Sequence, residues 1–271
     1  NIVTTAVLLP FPKQLEKLAN MVVREGHKDD RPTFLDELLL RTPSIAVNES
    51  RSMTVRMANL ARTSVLQAVS LFDTFDHKAS DQILENESTL DWFEDQLGTY
   101  LLKLSGKELS DADSRQVSKI FLSIGDFERL GDHAVNLAKT ARELFDKRLQ
   151  FSAEAQHEVS VLTKALSEIL ELAIVSFAKE NVEMASKVEP LSQAMSVIIS
   201  QIRPRHVERL QKGECTIEKG FIYSDLLSNY ARVFDHCSNI PAASIGATLD
   251  NFDTHEYLDK VKSQDNPNFT E

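Results

Sequence analysis

The stretch DFERLGDHAVNLAKTARE, residues 126–143, decides how the chain is read, because it puts charge where a helix should bury carbon. On a helix of about 100° per residue, Val117, Ile120, Phe121, Ile124, Phe127, Gly131, Val135 and Ala138 make one apolar stripe. Glu128 falls inside that stripe, and Asp132 lies on its flank one turn later. A lone carboxylate facing a core binds a proton rather than remain charged. The question is therefore what these two acids face.

Composition narrows the answer. The 271 residues are 42% apolar, enough to bury a real core, and only 8 Gly and 8 Pro are present, mostly between periodic stretches. That favours a mostly helical protein. Acidic residues outnumber basic ones 41 to 30, and the net charge of −11 repels both a nucleic-acid backbone and an anionic lipid surface. Nucleic acid is thus disfavoured as a partner. Two cysteines, Cys215 and Cys237, cannot form a disulfide framework, and they fit a reducing compartment.

The opening NIVTTAVLLPF is nearly all apolar but far short of the about 20 residues that span a bilayer. Two readings stand open for it, a short buried element or the stump of a membrane helix. A short amphipathic segment follows from Pro12, then a further helical turn or two from Asp36 to Leu40, with Pro43 interrupting. Six longer helices are expected at about 49–75, 80–104, 111–145, 153–179, 182–211 and 217–247. Ser110 and Ser152 are suited to cap two of their starts. Glycine stands at expected helix ends in LSGKELS and QKGEC.

These six helices read as three and three. Asp-His-x-x-Asn occurs at Asp132, His133 and Asn136 and again at Asp235, His236 and Asn239, 103 residues later. ENESTLDWF around Glu87 aligns with KVEPLSQAM around Glu189 at an offset of 102. Two motifs at nearly one offset imply duplicated three-helix bundles.

In the second long helix Ile83, Leu90, Phe93, Leu97, Leu101 and Leu104 form the stripe, with Glu87 beside it and Asp91 one turn on. Glu87 to Asp91 and Glu128 to Asp132 are both four-residue spacings, so each pair projects in nearly one direction. If the two helices pack antiparallel, four carboxylates converge on a shared edge and need a cation to coexist. Hard oxygen ligands suit magnesium, calcium, manganese or iron. The competing reading is ordinary ion pairing, with Arg62 or Arg129 as counter-charge to Glu128. His133 and His236 lie well off the stripe and are better placed to bridge than to ligate. Arg203, Arg205, His206, Arg209 and Lys212 crowd the region of Pro204, either as an anion receiver or as solvated charge over apolar stems.

DFERLGDHAVNLAKTARE, ENESTLD and their fainter copies NYARVFDHCSNI and KVEPLSQ resemble the PhoU family. TTAVLLPF, FLDELLLRTPSIAV and the tail HEYLDKVKS resemble the cytoplasmic end of bacterial sodium/phosphate cotransporter family proteins, where a PhoU-like region follows the membrane domain. The resemblance implies an all-α fold of two tandem three-helix bundles with a short helical N-terminal segment. It divides the chain into a membrane-proximal segment 1–48, a first bundle 49–151 and a second bundle with tail 152–271, and it favours the membrane stump at the N-terminus. Glu87, Asp91, Glu128 and Asp132 match the family's metal motifs. In the second repeat Gln193 and Ala231 replace two of the four acids, leaving Glu189 and Asp235, so one metal-competent repeat at most is expected. Asp126 and Glu94 are accessory ligands at most.

The resemblance implies a non-enzymatic regulator of sodium-dependent phosphate uptake at the cytoplasmic face of the cell membrane. Its partners would be a membrane transport domain of the same chain, phosphate-signalling proteins or a second copy of the chain. The alternatives are a metal-free helical adaptor or dimerisation module and a metal-dependent phosphatase.

Overall fold

The computed structural model describes residues 35–246, and within them every regular element is helical. A short 3-10 helix, Glu37–Arg41, leads into α1 (Pro43–Ser70). Then come α2 (His77–Ser105), α3 (Asp111–Asp146), α4 (Ala153–Lys179), α5 (Val182–Gln211) and α6 (Ile217–Gly246). The apolar N-terminal stretch and the tail lie outside the described residues. No helix among the described residues is long and apolar enough to cross a membrane.

Local chemistry sets the boundaries. Asp76, Ser110, Ser152 and Asn181 each accept a hydrogen bond from a backbone N–H two or three residues on, satisfying donors that a helix start leaves free. Pro43 does not interrupt a helix. It occupies the first turn of α1, where its missing N–H costs nothing, so that helix begins before the expected Glu49. Gly213 closes the α5–α6 connection at φ 72°, a backbone region that favours glycine.

The helices α1, α2 and α3 pack on one another, as do α4, α5 and α6, and α3 lies along α6 while α1 touches α4. The all-α architecture of two three-helix bundles expected from the sequence is the one observed. One buried core runs through both bundles. Phe127 of α3 meets Phe177 of α4 edge-to-face, ring centroids 5.1 Å apart. Because α3 is covered by α1, α2 and α6, it buries more than one stripe, adding Leu130, Ala134, Leu137 and Ala141 to the expected set. Phe121, assigned to the stripe from the sequence, is instead 52% exposed.

Candidate metal centre

Antiparallel packing of α2 on α3 is fixed by small contacts along its length. Ile124 approaches Gly98, Leu90 lies against Gly131, and Arg142 reaches Ser80 and Asp81 at 3.0 and 2.8 Å. At the Leu90–Gly131 contact the helices are so close that a Cβ on Gly131 would stand 2.5 Å from Leu90 Cδ1. Glycine thus lets the carboxylates that flank this contact come together.

Carboxylate oxygens of Glu87, Asp91 and Asp132 lie within 4.8 Å of one another. Glu87 and Asp132 are half-buried, whereas Asp91 is exposed. Burial, reinforced by the charges of Asp91 and Asp132, raises the Glu87 pKa. Among the described residues, this is the group of three or more potential ligands that come so close. Glu128 stands beside the trio rather than within it. Its side chain is only 19% exposed, and burial together with the neighbouring Asp132 pushes its pKa up to about 7, against the partial relief given by Arg129. Arg129 spans the pair, its Nε 3.4 Å from Glu128 and its Nη1 2.8 Å from Asp132. Of the two arginines considered from sequence, Arg129 takes this place, and Arg62 pairs with Glu171 on α4.

The residues fit a hard cation: three oxygen donors converge, and two of the acids on this edge hold protons more tightly than an ordinary glutamate, chiefly through burial and then through the neighbouring carboxylates. The second repeat is different. Glu189 is buried, and it accepts hydrogen bonds from Gln193 Nε2 at 3.0 Å and from the Ser238 hydroxyl. Asp235 is half-exposed and stands 3.8 Å from Arg232. Neutral donors there do for Glu189 what a cation would do in the first repeat.

Asp126, read from the sequence as an accessory ligand, is engaged elsewhere. Its Oδ1 accepts from His236 Nδ1 at 2.9 Å and from Asn239 Nδ2 at 3.1 Å, both on α6. His133 Nδ1 reciprocally meets Asn229 Oδ1 at 2.9 Å, and the two imidazoles face each other with centroids 5.5 Å apart. Asn229 stands 103 residues after Asp126, as His236 does after His133, so the two contacts are the same contact made twice about a local dyad. Sequence reasoning gave the histidines a bridging role but missed these partners, although the 103-residue offset that exposed the repeat also relates Asp126 to Asn229.

The basic patch at Pro204 also resolves differently. Arg209 is buried and grips Glu158 with both terminal nitrogens, at 3.3 and 2.8 Å. Tyr223 donates to the same carboxylate at 2.6 Å, and buried His206 bonds Gly220 O at 3.1 Å. Arg209 and His206 therefore tie α5 to α4 and α6 and do not await an anion.

A family model described as the PhoU domain matches residues 54–141, a span that contains all four acids and excludes the second repeat. The putative inorganic phosphate export protein YjbB of Escherichia coli K12 is 22% identical over 241 residues, which is 86% of this chain and 44% of that protein. The chain therefore spans less than half the length of this curated relative. The phosphate-specific transport system accessory protein PhoU homolog 1 of Thermotoga maritima is 21% identical over 191 residues, covering 70% of this chain and 82% of its own. In structure, PhoU from Pseudomonas aeruginosa superposes with a TM-score of 0.70 at 20% identity, over 77% of this chain and 98% of that one. The phosphate transport system regulatory protein PhoU from Streptococcus pneumoniae gives 0.68 at 17% identity, with the same coverages. Residues 54–141 match the PhoU domain model, and the described helices take the fold of these PhoU structures.

Proposed function

We propose that this chain is the regulatory module of a phosphate transport protein, acting by binding rather than by turning over a substrate. A hard cation held by Glu87, Asp91 and Asp132, with Glu128 at the margin, sets its state, and the helical body biases a membrane transport domain of the same protein at the cytoplasmic face of the membrane. The convergence of three carboxylate oxygens within 4.8 Å carries this reading. The relatives support its setting: one is named for phosphate export and is more than twice as long as the matched stretch, and another is named as a transport accessory protein. Bound there, iron, manganese, magnesium or calcium would neutralise the acids and fix the α2–α3 edge. Export in the relative's name and sodium-dependent uptake in the resemblance differ in direction, so the flux itself must be measured.

The test joins two measurements. Purified protein is analysed for bound metal and melted with and without chelator, and phosphate flux is followed in cells carrying the wild type or Glu87→Ala/Asp91→Ala/Asp132→Ala. Metal that disappears in the variant together with altered flux is the expected result. No metal, no loss of melting temperature on chelation and unchanged flux would leave a metal-free adaptor that docks phosphate-signalling proteins or a second copy. Arg129 speaks for that second reading, because it already offsets part of the charge on Glu128 and Asp132.

A further inference from the structure

We infer that Asp126, His133, Asn229 and His236 form a positioning joint through which the carboxylate edge of the first bundle and the second bundle act on each other; this rests on the cation reading of that edge. The observation behind it is the placement of both features on the same two turns of α3. Asp126 and His133 meet α6, and Asp132, next to His133 in sequence, meets Glu87 and Asp91 of α2. A helix cannot turn or slide to suit one face without moving the other.

The joint is polar, directional and half-buried, which makes it sensitive to such a shift. Asn229 Nδ2 donates to Asp225 O at 2.9 Å, so its Oδ1 is the atom presented to His133, and His133 Nδ1 must carry the hydrogen. His236 Nδ1 likewise donates to the Asp126 carboxylate, which Asn239 also binds. Every contact in the joint thus has a fixed sense, and rotation of α3 that lengthens one of the two dyad-related contacts misaligns hydrogen bonds rather than merely loosening packing. At the other face Arg129 now holds Asp132, and a cation would compete for that oxygen. Linkage then requires reciprocity: whatever the cation does to the joint, the joint does to cation affinity.

Manganese(II) is the probe, titrated into the full 271-residue chain carrying Asp126→Asn or Asp126→Leu. The two variants remove the same charge, and asparagine reproduces the Asn–His contact already present on the other side of the dyad. Asp126→Leu is expected to bind manganese at least about fivefold more weakly than Asp126→Asn. In the wild type, manganese slows amide hydrogen exchange in α6 around 229–239, although α6 supplies no ligand. Equal affinities of the two variants with α6 exchange unmoved by manganese would reduce the joint to a structural clasp and overturn the proposal. Wild type that takes up no manganese overturns the cation reading itself, and the joint's role with it. If Asp126→Leu fails to fold, the wild-type exchange comparison decides alone.

Discussion

Leu90 and Gly131 touch where α2 and α3 cross, and the space for a Cβ on residue 131 is already occupied by the Leu90 side chain. Leu90 is fully buried, so it cannot retreat into solvent. Gly131→Leu would have to push the helices apart, and overpacking of this kind costs about 3 kcal/mol. The expected outcome is a lower denaturation midpoint, read by chemical unfolding. Loss of metal uptake should accompany it even where the variant remains folded, because Glu87 and Asp91 flank Leu90 on one helix and Asp132 follows Gly131 on the other.

The second prediction concerns pH. In the metal-free protein the Glu128 pKa rises from 4.5 to about 7, first through burial and then through Asp132. A carboxyl raised in this way favours the folded state when neutral. The stability it lends is complete below about pH 4.5, declines as pH climbs, and is gone above about pH 7. Glu128→Gln, neutral throughout, should therefore melt higher than wild type at pH 8 and nearly level with it at pH 4.5. Solvent screening holds the gain to the order of 1 kcal/mol, or about 2–4 °C. Added manganese should abolish or reverse the difference at pH 8. A melting gap independent of pH would refute the account.

The third lies at the other end of the second bundle. Arg209 and Glu158 have side chains only 11% and 10% exposed, and Tyr223 shares the carboxylate. Arg209→Ala leaves the Glu158 carboxylate with Tyr223 and, at 4.0 Å, Arg205, and should cost about 3 kcal/mol. The pair Arg209→Met/Glu158→Leu removes both charges and should recover much of that loss. Thermal melts of the two variants distinguish a buried ion pair from an anion receiver, which would instead show phosphate-dependent melting lost in Arg209→Ala.

How much of this was legible beforehand depended on range. Caps at Ser110 and Ser152 and the α2 stripe from Ile83 to Leu104 were readable because each rests on neighbours within a turn or two. Pro43 is ambiguous in the sequence because a proline opens a helix as readily as it ends one, and only the backbone before it decides. Phe121 shares the stripe yet stays exposed, because periodicity gives the direction of a stripe but not how far the neighbouring helices extend to cover it. The carboxylate cluster of Glu87, Asp91 and Asp132 is legible in the two Glu-x-x-x-Asp pairs. What the pattern did not show was that Arg129 would fold back between Glu128 and Asp132, or that Asp126 would be claimed by α6. Those choices depend on which side chains of distant segments arrive at the same place.

The two repeats offer the sharpest test of whether carboxylate placement alone makes a metal-competent site. Offsets of 102 and 103 residues place Gln193 and Ala231 where the first repeat has Asp91 and Glu128, and Ser238 where it has Val135. Glu189 is satisfied now by Gln193 and Ser238. Restoring the acids alone, as Gln193→Asp/Ala231→Glu, would crowd Glu189 and Asp235 with new negative charge and should destabilise the metal-free protein. With Ser238→Val as well, Glu189 loses its remaining neutral donor, and a cation becomes the available counter-charge. The triple variant should therefore bind more manganese per chain than wild type in elemental analysis, and should regain in saturating manganese the melting temperature it loses in chelator. If it is destabilised without gaining metal, carboxylate placement is insufficient and the close Leu90–Gly131 crossing of the first repeat must be part of the site.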